Sequence, residues 1–197
     1  MPSGSMDTPS VEALRGRSTG VLFLSVFGAL WFVLGFAARG WLTVLAAGAI
    51  AVGLGALVAG VVALRRRAAV LPPSTLGSEE QRRIGRTFGL VNAVQWAAII
   101  AIAVVLGRLH LDAYTPAAVT VVVGLHFFPL ARLFRFPQHH VTGAVLVVWG
   151  VVCLLFVPRD VLQSTTGFGT GAILWIASVV TLVRSFRQLH GIGLSGS

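Results

Sequence analysis

The sequence predicts an all-α integral membrane protein of six transmembrane helices arranged as three antiparallel hairpins, and three observations carry that expectation. Hydrophobic residues make up 56% of the 197 residues and charged ones 11%, with a mean hydropathy of +0.88, a balance that soluble domains do not keep. Cutting the chain at its charges leaves six charge-free windows. Each holds the roughly 20 apolar residues that a helix needs to cross about 30 Å of hydrocarbon. The windows are continuously apolar instead of alternating, which is the pattern of helices and not of barrel strands.

Residues 1–17, rich in Ser, Pro and Gly and carrying Asp7 and Glu12, read as a disordered tail. The first span follows at 18–38. Arg15 and Arg17 ahead of an apolar run that ends in small residues also fit a cleaved signal peptide. Against that, the run is longer than a signal core and a second span begins almost at once at Trp41.

The second span, 41–64, holds Ala47, Ala51, Gly55 and Ala59 at four-residue spacing, a ladder of small side chains that lets another backbone come close. It is expected to be the packing centre of the bundle, with its partner inside the chain or in a second copy as a homo-oligomer. Residues 65–86 form the longest connection and are large enough to dock a partner. Pro72 and Pro73 stop the second helix there, and Ser78 with Glu79 and Glu80 resembles a new helix start.

Spans at 87–107, 114–134, 141–158 and 167–186 complete the set, and 188–197 reads as a flexible C-terminal tail. The outer links are short: Arg39 with Gly40, then GRLHLDAYT, then PRDVLQSTT. Short links make antiparallel hairpins. LARLFR at 130–135 and LVRSFR at 182–187, together with Trp31, Trp96 and Trp149 inside the first helix of each hairpin, point to an internal repeat as readily as to coincidence.

All 15 basic residues are arginine, and the formal charge is +9. With the N-terminus inside, only Arg39, Arg108 and Arg159 fall outside, so the positive-inside rule sets both termini in the cytoplasm. The partners this implies are the lipid bilayer and anionic headgroups on the cytoplasmic side. Nucleic acid is not among them, because no basic stretch is interleaved with exposed aromatics. The use of arginine alone fits a GC-rich bacterial genome. Cys153 stands alone within the fifth span, so no intrachain disulfide forms.

Polar groups inside the spans are the candidates for chemistry. His126, in GLHFFPLARLF, lies roughly 15 to 20 Å from the outer edge of the fourth span. Pro129 cannot donate to the carbonyl of Leu125, which frees an acceptor beside the imidazole. In lipid both groups need partners. Asn92 and Gln95 supply candidates from the third span, and Ser178 sits at similar depth in the sixth.

One reading makes these residues a polar pocket for a proton, a small solute or a headgroup, as in a small transporter or channel. The other makes His126 a neutral clamp that bonds across the bundle to Gln95 or Asn92. No Asp, Glu or Lys lies in a span core, where ion-coupled transport usually wants one, so the clamp reading leads.

His139, His140 and His190 share the cytoplasmic side, but adjacent histidines do not share a helical face and no cysteine or acid joins them at ligand spacing. No metal is expected. One core histidine also falls short of the pair that a b-type haem uses, so no cofactor is expected. Catalytic residues are not assigned: Ser178 with His126 is conceivable as nucleophile and base, but nothing orients the imidazole. GFGTG at 167–171 reads as a flexible, closely packed helix start and not as a dinucleotide loop.

The segment GLHFFPLARLF followed by VTGAVLVVWG resembles a pattern of small bacterial multi-span membrane proteins of unassigned function, over residues 86–185. The resemblance implies a bacterial plasma-membrane protein and carries no catalytic residue over. The expected role is non-enzymatic, through assembly or partner contact.

Overall fold

The computed structural model describes residues 11–41, 43–69, 78–134 and 136–194. Its helices are α1 (Val11–Ala38), α2 (Val44–Ala68), α3 (Ser78–Arg108), α4 (Thr115–Leu133), α5 (Gln138–Phe156) and α6 (Arg159–Leu194), with a 3-10 turn at Asp112–Tyr114. All six are long and apolar enough to cross a membrane. No strand occurs among the described residues.

Several boundaries differ from expectation: α2 begins at Val44 and runs to Ala68 while α3 begins at Ser78, so helix takes both ends of the connection read at 65–86. α1 starts at Val11, so 11–17 are helical and not a tail; Leu14 is fully buried and Arg17 donates to Gln188 of α6. Tertiary contact there overrides a polar composition. α6 starts at Arg159, so most of PRDVLQSTT is helix. Asp160 in its first turn suits the positive end of the helix dipole, and buried Ser164 and Thr166 already face the bundle. α6 also runs on to Leu194, past the span end read at 186, while residues 1–10, 70–77 and 195–197 lie outside the described residues.

The three hairpins are present, yet the broadest interfaces join α1 to α6 and α4 to α5. Both pairs meet through glycine. A Cβ on Gly167 would stand 2.7 Å from the backbone of Gly35, and one on Gly171 3.0 Å from the carbonyl oxygen of Gly28. In the other pair, a Cβ on Gly124 would reach within 2.7 Å of the Val147 nitrogen and 2.8 Å of the Gly143 carbonyl oxygen. Lipid tails are as apolar as leucine, so close backbone approach replaces the hydrophobic effect as the force between helices.

α6 also touches α2, α4 and α5, which makes it the packing centre. Trp175 is its wedge: a Cβ on Gly28 of α1 or Gly53 of α2 would overlap the indole ring. Its Nε1 donates to the Ser25 carbonyl at 2.9 Å, and Phe32 meets the ring edge-on at 5.0 Å.

Within the chain, the expectation that α2 is the packing centre is therefore corrected. Ala47, Ala51, Gly55 and Ala59 are all exposed, and a Cβ on Gly55 would meet nothing. The buried stripe of α2 is Leu57, Val61, Leu64 and Ala68. Small residues permit close approach but do not choose the face. The choice is made by Gly53 beneath Trp175 and Gly60 against Leu182.

The interior is lined with hydroxyls. Ser25, Thr120, Thr142, Ser178 and Thr181 donate to carbonyls four residues back in their own helices, at 2.6, 3.0, 3.2, 3.0 and 2.7 Å. Satisfied in this way, they pack as small groups inside a membrane bundle. The exterior is aliphatic, with Val44 90% and Leu45 85% exposed.

Candidate functional site

α3 leans chiefly on α4 and the turn before it. Its inward stripe runs through Phe88, Val91, Asn92, Gln95, Ala98 and Ile102, spacings of three and four that keep one helical face toward the neighbour. Phe88 meets Phe134 at 5.9 Å near one end of this seam.

His126 is half-buried in the middle of α4, three residues before Pro129, which stays within the helix. Its imidazole lies close to the backbone of Val91 on α3, without a hydrogen bond of ordinary geometry. The histidine thus lies on the seam between two helices, beside a main-chain group. Among the described residues no hydrogen bond joins it to Asn92 or Gln95, and neither amide has another partner.

Ser178 belongs elsewhere. It is fully buried between α6 and α1, with its Oγ 3.4 Å from that of Ser25, while it donates to the Leu174 carbonyl. The four polar candidates therefore divide, three on the α3–α4 seam and one on the α1–α6 seam. Ser178 and His126 do not form a nucleophile and base, because they occupy different seams.

The two phenylalanines of GLHFFP bed the paired histidines of the next helix. Phe127 and His139 lie 5.5 Å apart, Phe128 and His140 5.7 Å, and Phe136 covers His139 at 5.0 Å. The Arg17 guanidinium stands 5.0 Å over the Phe136 ring. Among the described residues no three metal-ligating side chains gather, and the side chain of His190 lies outside them. Cys153 is buried beside Thr166, whose hydroxyl has no hydrogen bond of ordinary geometry.

Arginines fasten both ends of the bundle. Arg65 of α2 donates through Nε to Ser18 at 2.8 Å and through Nη2 to Thr19 at 3.1 Å, while Arg67 lies 5.3 Å over Phe186 of α6. At the opposite end Arg159 donates to the His110 carbonyl at 2.8 Å and stands 5.9 Å over Tyr114.

Three contributors escaped the sequence reading: Trp175, Arg65 as a tether, and Gln138, which donates to Thr181 Oγ1 at 3.1 Å and to the Ala177 carbonyl at 3.3 Å. Gln138 carried a usable signal, a lone amide just after Pro137 at the start of a span. Trp175 carried none, since its partners Gly28 and Gly53 lie on other helices.

Two shallow, open hollows lie on the flanks of α2. One is an open face of α2 alone, over Ala59, Val62 and Ala63 to Arg66 and Arg67. A second runs between α2 and α6, from Gly53 and Trp175 to Phe186. Both are apolar, and neither includes His126. No protein-family pattern, characterised protein or solved structure matches the chain.

Proposed function

We propose that the protein is a non-enzymatic component of a bacterial plasma membrane that acts through assembly, with α3 as the docking helix. The observation that carries this reading is Gln95. It stands midway along the Arg82–Arg108 span, half-exposed at the edge of the face that α3 turns to α4 and without a hydrogen bond from any described residue, on the span whose apolar window buries no residue. An amide in hydrocarbon without a partner is costly, and neighbouring helices supply such partners. Asn92, one turn away, doubles the demand. An amide both donates and accepts, so a second copy of α3 is a self-complementary partner. The arginine excess at one end supports placing both termini in the cytoplasm.

The test is association in mild detergent and in liposomes, read by cysteine cross-linking along the half-exposed edge of α3 that carries Gln95 and Asn92, and by mass. The expected result is a stable complex that Gln95→Leu with Asn92→Leu weakens about tenfold, from two bonds of about 0.6 kcal/mol each. A monomer at every concentration, with no partner retained, overturns the reading. Proton or solute flux in liposomes that His126→Ala abolishes would replace it with transport.

A further inference from the structure

We propose that α2 carries a binding site for one anionic phospholipid, its phosphate held by Arg66 and Arg67, one acyl chain laid in the inner groove between α2 and α6 and the other along the shallow outer groove on the open face of α2. The site uses α2 and α6, so it stands apart from the docking role of α3 and is tested separately.

The two grooves converge on Arg67. At about 100° per residue, Arg67 projects about 80° round α2 from Ala59, in the outer groove, and about 80° short of Leu57, in the inner one. Its guanidinium lies 5.3 Å over Phe186, which ends the inner groove, and it also lines the outer groove. Stacking on a ring leaves the planar N–H fork free for a phosphate. The Arg66 side chain, exposed beside it, has no partner among the described residues. Arg65 is held by Ser18 and Thr19 and fixes this end of α2 to α1, so the cations that remain available are the pair at the groove mouths.

Groove length selects a lipid over a helix. From Trp175 to Phe186 the inner groove covers about 16 Å at 1.5 Å per residue, close to half of a core about 30 Å thick. It stops there because Trp175, wedged against Gly28 and Gly53, forms its floor. A spanning helix needs the whole thickness, whereas an acyl chain from one leaflet needs half. The chemistry is then complete: apolar walls for chains, a cationic fork for one negative headgroup, and a depth of one leaflet.

The experiment is native mass spectrometry of the delipidated full chain in detergent, titrated with phosphatidylglycerol or phosphatidylcholine. One phosphatidylglycerol should be retained in preference to phosphatidylcholine. Arg66→Gln with Arg67→Gln should weaken it roughly 30-fold, whereas Arg184→Gln with Arg187→Gln, an equal loss of charge at the same end, should change it less than about threefold. Ala56→Leu, which fills the inner groove and keeps every charge, should also weaken binding while the thermal midpoint stays in place. Equal losses from both arginine pairs would reduce the site to diffuse attraction. Equal retention of the two lipids, no effect of Ala56→Leu, or full displacement by inorganic phosphate would each overturn the proposal.

Discussion

His126 lies against the Val91 backbone across the α3–α4 seam, and a bond to that main-chain acceptor would have a measurable signature. Removing the imidazole should cost about 0.6 to 1.7 kcal/mol, the usual range for a polar contact between membrane helices. In a double-mutant cycle on unfolding in detergent, His126→Ala and Gln95→Ala should add within about 0.5 kcal/mol. Larger coupling would move the bond onto the amide. The need for a partner was legible in the sequence, since a histidine inside a span must bond to something. The partner was not, because a backbone carbonyl occurs at every position and marks none. His110 offers a second test at this scale. It holds φ 57 just beyond α3, a left-handed conformation that glycine adopts freely, and Gly40 holds φ 67 at the matching place after α1. His110→Gly should therefore raise stability by about 1 kcal/mol, provided that Arg159 keeps its hold on the carbonyl. A lower unfolding midpoint would mean that the histidine side chain contributes a contact of its own.

Two glycines of α2, two residues apart, separate the inner face of that element from the outer. A leucine at Gly53 drives into Trp175 and should cost about 3 kcal/mol, as overpacking does. The same change at Gly55 meets open space and should leave the melting midpoint in place. If Gly55→Leu unfolds the chain, the outer face is covered after all. The ladder of Ala47, Ala51, Gly55 and Ala59 stands out because it repeats every four residues within one helix. The contacts that hold the bundle lie between Gly28 and Gly171, Gly35 and Gly167, and Gly124 and Gly143, and their spacing becomes meaningful only when two helices are set side by side. A single sequence shows which helices are able to approach closely. It does not show which pairs do so. The six apolar windows, by contrast, were plain, because their length answers to the membrane alone.

Across the whole molecule, the tryptophans in the first helices of the three hairpins have unlike surroundings. Trp31 packs against the cluster of Leu24, Phe127 and Leu174, Trp149 lies against Gly169, and Trp96 is 52% exposed on α3. Equivalent positions in the sequence thus have three different surroundings. α3, with no residue of its apolar window buried, should exchange its amide hydrogens sooner than α6 in detergent, and equal protection would place a partner on it. Reporter fusions after Arg67 should read cytoplasmic and those near Asp112 external, with the reverse pattern overturning the orientation. The broadest interface has a further consequence, for the order in which the protein is made. Ser25 and Ser178, which face each other across α1 and α6, are 153 residues apart in the chain. At about 5 to 20 residues per second, a ribosome takes roughly 8 to 30 s to cover that distance. During that interval the first helix lies in the bilayer with Gly28 and Gly35 uncovered, so the insertion machinery or the surrounding lipid must shelter them until the last helix arrives.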